Sequence, residues 1–209
     1  MGLGSLRNDV FLLAHDDNGR LIGSEPSVSA GLAGATLIDL LLHGRVAVVG
    51  GRLDVVDSAT AGDDECDAAL EAIAANTAPT GPRAWVSWIS HGAYERTAIA
   101  LERAGAIRRT TTRRFGLLTV SRCIASNPDD MVRLRSRLRY ALHSPDLPDA
   151  ETAALCGLVR VLRLESALLL SMPTAELLLG LERMTGGNGT TVRQVTSAVE
   201  TVITAATYR

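Results

Sequence analysis

Lysine is missing altogether, and all 21 basic residues are arginine. Genome composition accounts for that choice as readily as function does. Aromatic residues make up only 3% of the chain, so any core must be packed from Leu, Val and Ala. Cys66, Cys123 and Cys156 are far apart, odd in number and form no C-x-x-C. This excludes a disulfide framework and reads as reduced thiols, with Cys156 a core residue. The opening residues have neither the charged start nor the long apolar run of a secretory signal, so none is expected. There is no G-x-S-x-G, no P-loop and no G-x-G-x-x-G after a strand. His15, His43, His91 and His143 are scattered without metal-ligand spacing, and no serine has a base partner at sequence level. No catalytic site, metal or cofactor is expected, and enzyme is the weakest reading.

What is present fits one domain over residues 1–209, long enough for a substantial core. The net charge of -2 conceals an asymmetry. Residues 54–71 hold seven acids and no base. Residues 102–139 hold ten arginines against Glu102, Asp129 and Asp130. A one-sided basic region suits an anionic partner such as phospholipid headgroups or nucleic acid. A solvated surface offset by the acidic segment is the plainer alternative.

Residues 149–172 are too apolar on every side for a surface helix and are expected at the centre of the fold. Asp149 suits the N-cap, and Pro173 is expected to end the helix. About 24 residues would span roughly 36 Å. Arg160, Arg163 and Glu165 sit mid-segment and argue against a membrane span.

Along the chain, helices are expected over 6–14, 28–43, 64–75, 94–104, 130–142, 174–184 and about 191–206. Another helix carries Trp85 and Trp88 on one face, as core residues. Gly44 and Gly105 suit helix ends. Val46–Val49, Gly50-Gly51 and Leu53–Val56 read as a hairpin. Ile107–Val120 reads as a second, turning near Thr110–Arg114, and residues 77–82 as a loop. The class is mainly α, with two small β hairpins around the central helix.

On a helical wheel the 130–142 segment places Arg133 with Arg137 on one side and Arg135 with Arg139 on another. Between them runs an apolar stripe of Met131, Leu134, Leu138, Ala141 and Leu142. The guanidinium groups would then be free to meet an anion in bidentate fashion. Arginines lying beside a buried stripe with no ligand is the ordinary alternative.

Several stretches then carry a family resemblance. Gly31-Leu32-Ala33-Gly34-Ala35-Thr36-Leu37-Ile38-Asp39-Leu40-Leu41-Leu42-His43-Gly44-Arg45 resembles G-L-R-G-x-x-L-x-E-L-x-L-R-G-R of the Golgi phosphoprotein 3 family. Ala61-Gly62-Asp63, followed by Asp67-Ala68-Ala69-Leu70, is similar to its T-G-D and D-E-A-L. Leu101–Ile107 is similar to its L-x-x-x-G-V-L, and the stretch from Asp149 to its apolar helix after D-P-x-x-x-D. The matches run in order over almost the whole chain, in the manner of the bacterial members common in actinobacteria.

The resemblance implies a non-catalytic, cytoplasmic, peripherally membrane-associated protein. Eukaryotic members bind phosphatidylinositol 4-phosphate and the cytoplasmic tails of glycosyltransferases. Their headgroup pocket combines a Trp, the motif Arg and basic residues on the helix before the central one. Carried over, the basic residues fall at Arg133 and Arg137, while the Trp falls at Ser24 and the motif Arg at Ala33. Two pocket positions are therefore lost. The oligomerising hairpin would fall near Ser144–Asp149, which is too short for one.

Binding of anionic phospholipid headgroups through Arg133 and Arg137, helped by Arg135 and Arg139, is the leading expectation. Membrane-protein tails are possible further partners. A winged-helix-like DNA-binding regulator is the alternative, with Arg108, Arg109, Arg113 and Arg114 on a wing over Tyr94–Val120, though that stretch lacks a polar recognition face. A protein-interaction scaffold without lipid is the third.

Overall fold

The computed structural model describes residues 5–75, 80–114, 118–144, 146–168, 173–186 and 189–207. The chain opens with α1 (Leu6–Leu13) and α2 (Glu25–Leu42). Ser24 N-caps α2 by accepting the Ser27 N–H at 3.3 Å, and Pro26 sits in its first turn. Every residue from Val28 to Leu40 is buried. The α2 helix accordingly lies among α1 and five helices given below.

Asp39, the acid in that buried run, has a structural task. Its Oδ1 accepts the Leu6 N–H and its Oδ2 the Ser5 hydroxyl, each at 3.3 Å, closing the N-terminus of α1. Burial outweighs these bonds and pushes the Asp39 carboxyl up to about 6.

The first hairpin pairs β1 (Val46–Val49) with β2 (Arg52–Val55) through Gly50-Gly51, as expected. Three helices follow: α3 (Asp64–Ala74), α4 (Pro82–Ser90) and α5 (Ala93–Arg103). Pro82, expected in a loop, begins α4, while residues 77–79 of that loop lie outside the described residues. Trp85 is buried in the core but Trp88 is 49% exposed, contrary to expectation. Counted from Trp85, the i+4 residue Ile89 takes the inward place, and Trp88 is left on the rim in edge contact with Trp85 at 5.7 Å.

The second hairpin pairs β3 (Ile107–Arg114) with β4 (Leu118–Ala125), from Ile107↔Ala125 to Arg114↔Leu118. The expected turn at Thr110–Arg114 is instead paired strand, and residues 115–117 lie outside the described residues. Threonine-rich sequence favours the ladder over a turn.

The chain ends with α6 (Pro128–His143), α7 (Ala150–Leu162), a 3-10 turn (Glu165–Leu168), α8 (Thr174–Thr185) and α9 (Thr190–Thr207). Asp149 caps α7, accepting the Thr152 N–H at 2.9 Å and its hydroxyl at 2.8 Å. Nine of the thirteen α7 residues are buried, as its composition requires.

The helix expected to run to Met172 stops at Leu162. Arg163 takes the left-handed conformation, φ 56° and ψ 45°. The Leu164 N–H returns to the Val159 carbonyl at 2.9 Å, and Leu164 is 1% exposed. This is a Schellman closure with Arg where Gly is usual. The left-handed arginine costs about 1–2 kcal/mol, which burial of Leu164 offsets at about 1.5–3 kcal/mol. Residues 169–172 lie outside the described residues.

Helix α2 shares the axis with α7: α3, α4, α5 and α9 also pack on it. A Cβ on Gly34 would meet the Val199 side chain of α9, so glycine at this position permits the close approach. The architecture is mainly helical with two small, separate hairpins.

Candidate anion-binding surface on helix α6

The α6 helix starts at Asn127, whose side chain accepts the Asp129 N–H at 3.2 Å, followed by Pro128 in the first turn. Leu134, Leu138, Ala141 and Leu142 are buried and Met131 partly so, which is the expected stripe. This stripe seats the helix against α1, α7, α8, β4 and the 3-10 turn. The outward side carries Val132 and Tyr140, 59% and 76% exposed, beside exposed Arg133 and Arg139.

Three of the four guanidinium groups expected to be free are ion-paired. Arg133 pairs with Asp130 one turn earlier, but its side chain remains 70% exposed. Arg135 is a clamp. Its Nε donates to the Ala167 carbonyl at 2.8 Å and its Nη2 to Asp17 at 2.7 Å. Only 12% of its side chain is exposed, so its donors face the fold. Asp17 belongs to a tight turn in which Asp16 Oδ1 accepts the Asn18 and Arg20 N–H groups at 2.8 Å. That turn is pinned to β4 by the Cys123 N–H donating to Gly19 O at 2.9 Å. Gly19 has φ 71°, and a Cβ there would strike the Cys123 backbone at 2.9 Å.

Arg137 reaches across to α1, its Nη2 3.1 Å from Asp9 Oδ2. Its Nε and Nη2 are buried without a well-aligned hydrogen-bond acceptor. Burial pushes the Asp9 carboxyl up to about 6; Arg137 opposes the rise, while Glu151 and Asp39 add to it. Arg139 is exposed, and among the described residues its side chain forms no ion pair.

The two positions that resemblance gave to a headgroup pocket lie in α2. Ser24 is its exposed N-cap, and Ala33 is fully buried within the core. Neither supplies a basic or aromatic group to α6. Sequence reading missed the acids Asp9 and Asp17. The available signal for Asp9 was a charge inside the apolar Leu6–Leu13 segment.

Motif residues turn out to hold the scaffold. Asp63, from the Ala61-Gly62-Asp63 stretch, caps α3 by accepting the Glu65 and Cys66 N–H groups at 3.1 Å. It also takes both Nη groups of buried Arg7, at 2.8 and 2.7 Å. Burial would raise its carboxyl, but Arg7 and the two amides hold it below the ordinary range.

Each histidine places Nδ1 within 2.7–2.8 Å of the carbonyl four residues back: Phe11, Asp39, Ser87 and Arg139 for His15, His43, His91 and His143. They serve their own helix ends. His15 Nε2 also meets the Tyr94 hydroxyl at 2.9 Å, and burial lowers the His15 pKa. Cys66, Cys123 and Cys156 are buried and free, with burial pushing the Cys156 thiol up to about 12.

Among the described residues no cluster of His, Cys, Asp and Glu could hold a metal ion. Nor is any helix among them long and apolar enough to cross a membrane. On the second hairpin, Arg109 forks onto Glu95 of α5 at 2.8 and 2.9 Å.

No curated protein matches the chain. The profile of Golgi phosphoprotein 3 matches residues 6–205, from the first turn of α1 to the last turns of α9, taking in the Asp39 and Asp63 anchors and the arginine helix. With the match covering nearly every described element, the chain belongs to the Golgi phosphoprotein 3 family.

Proposed function

We propose that this protein, read as one domain over 1–209, is a non-catalytic, cytoplasmic, peripheral membrane protein that recognises anionic phospholipid headgroups through α6. The observation that carries this is the outward side of α6. Arg133 and Arg139 stand there beside exposed apolar Val132 and amphipathic Tyr140, a mixture that suits a membrane interface. Arg137 adds a third cation whose alignment with Asp9 is incomplete. Arg135 contributes by holding the helix in place. Phosphatidylinositol 4-phosphate, the lipid of the family's eukaryotic members, is the headgroup to test first, and tails of membrane proteins are the proposed clients.

Each arginine near an anionic surface is worth about 1 kcal/mol, so three give reversible, salt-sensitive association. Flotation with anionic and neutral vesicles tests the reading. Anionic vesicles should recruit the protein in low salt, and Arg133→Ala with Arg139→Ala should abolish most of that recruitment. Equal recruitment by both vesicle types would leave a lipid-independent scaffold. The DNA-binding alternative draws less support, because Arg109 of the wing-like hairpin is tied to Glu95.

A further inference from the structure

A cavity of about 270 Å³ lies between α1, the Asp16-Asp17 turn, β4 and the first turns of α6. Its inner wall is Phe11, Leu12, His15, Ile107 and Cys123, each no more than 5% exposed. Ala125 of β4 and Met131 and Val132 of α6 stand towards its mouth.

Both polar side chains of the inner wall are already engaged. His15 Nδ1 lies 2.8 Å from the Phe11 carbonyl and Nε2 2.9 Å from the Tyr94 hydroxyl, which lies 3.8 Å from Cys123 Sγ. At the rim, Arg135 donates to Asp17 at 2.7 Å, and Asp16 Oδ1 accepts two backbone N–H groups. A buried water needs about two to four polar partners, and the side chains of this inner wall have none to spare. A hydrogen-bonding ligand would meet the same lack. Apolar space of about 150 Å³ already holds a benzene ring, so this cavity has room for more. It falls short of the about 300–1,000 Å³ typical of sites for drug-sized molecules. A single hydrocarbon chain satisfies both limits.

The mouth points to the source of that chain. Val132 lines the cavity and is also 59% exposed on the outward side of α6, next in sequence to Arg133. The opening and the cationic face are thus one residue apart, about 1.5 Å along the helix axis. We propose that the cavity takes one acyl chain of a membrane lipid, with the headgroup left outside beside Arg133. Asp16, Asp17 and Arg135 together leave a net negative charge at the rim, which disfavours the carboxylate of a free fatty acid there. The proposal rests on the α6 reading for the membrane at its mouth, whereas the fit of an alkyl chain rests on the cavity alone.

Two arms test it. In the first, butanol, hexanol and octanol are titrated into the full chain carrying methyl-labelled methionine, and the Met131 resonance, assigned through Met131→Leu, is followed. It should shift saturably, with affinity rising about fourfold per added methylene until the cavity is full. Ala125→Phe, which fills the cavity from a partly exposed position, should weaken octanol binding at least about tenfold. Dihexanoyl phosphatidylcholine, kept below its micellar concentration, should bind with the same dependence on Ala125. Arg133→Ala with Arg139→Ala should leave all of this unchanged.

In the second arm, phosphatidylserine vesicles carry a phospholipid with a nitroxide near the end of one acyl chain. At equal bound fractions the nitroxide should broaden the Met131 resonance of the parent protein and not that of Ala125→Phe. Circular dichroism checks each fold, and Val132→Trp, at the exposed mouth, carries the test if Ala125→Phe misfolds. Binding of the short-chain lipid by a protein that no vesicle recruits would sink the α6 reading and keep the acyl-chain site. The proposal is overturned if octanol gives no saturable shift, or if the filled variants bind it as the parent does. It is also overturned if the alcohols bind but the short-chain lipid does not, or if vesicles recruit the protein while the nitroxide leaves Met131 sharp.

Discussion

Helix α1 makes two arginine–aspartate pairs with opposite character. At one, Arg7 of α1 is 4% exposed in its side chain and meets Asp63 with both Nη groups, and Asp63 accepts two backbone amides besides. At the other, Asp9 of α1 meets Arg137 of α6 at a single 3.1 Å contact, with Glu151 and Asp39 adding negative charge nearby. Asp63 is held below the ordinary carboxylate range, whereas Asp9 is raised to about 6. Burial acts against ionisation at both, and what differs is how many donors face the carboxylate. The first pair is a lock between α1 and α3. The second is poised, and it joins the core to the surface that meets the proposed ligand.

The comparison breaks most visibly at the lock. Arg7→Ala strands the Asp63 charge beside the core and should cost about 3–5 kcal/mol, read by urea denaturation at pH 7. A loss below about 1 kcal/mol would place Arg7–Asp63 among ordinary surface pairs.

The pH dependence of stability separates the two pairs by sign. Asp9 and Asp39, raised to about 6, bind protons more tightly in the folded chain than in the unfolded one. Stability should therefore rise as pH falls from 7 towards 4, by on the order of 2 kcal/mol for each group. Asp63 has the opposite sign. Its contribution is present above the ordinary carboxylate range and is lost as pH falls through its depressed folded value. Denaturation profiles should thus peak on the acid side of neutrality, and Asp9→Asn should flatten the limb between pH 4 and 7.

The smallest effect belongs to the surface. Neutralising Asp9 leaves Arg137 without its counter-charge, so Asp9→Asn should raise recruitment to anionic vesicles at pH 7 about fivefold, the worth of about 1 kcal/mol. Recruitment of the parent protein should climb as pH falls through about 6, and that of the variant should stay level. Asp63→Asn, tested at a temperature where it remains folded, should leave recruitment unchanged.

Much of this fold was legible because helix signals are local. The apolar spacing of α2, the glycine pair of the first hairpin and the stripe of α6 are written within one or two turns of chain. The end of α7 was not, since Arg163 adopts a conformation its sequence does not advertise, driven by a burial site for Leu164 that other elements build. The same reason applies at α6. The wheel placed four arginines, but a wheel shows faces and not neighbours. Asp17, the partner of Arg135, lies 118 residues away. Trp88 shows the converse limit, for spacing to Trp85 was read as burial when Ile89 held the inward place.

The arginine closure of α7 has one more consequence. Glycine would adopt that bend without steric cost; Arg163 adopts it against one, which burial of Leu164 helps to offset. The corner rests on that leucine together with the Leu164 N–H bond to the Val159 carbonyl, the Arg135 bond to the Ala167 carbonyl and the burial of Ala167 and Leu168. Arg163→Gly should remove that steric cost and raise the unfolding midpoint. Leu164→Ala should lower the midpoint, a loss of about 2–5 kcal/mol of stability, since the strained corner then loses the burial that offsets its cost.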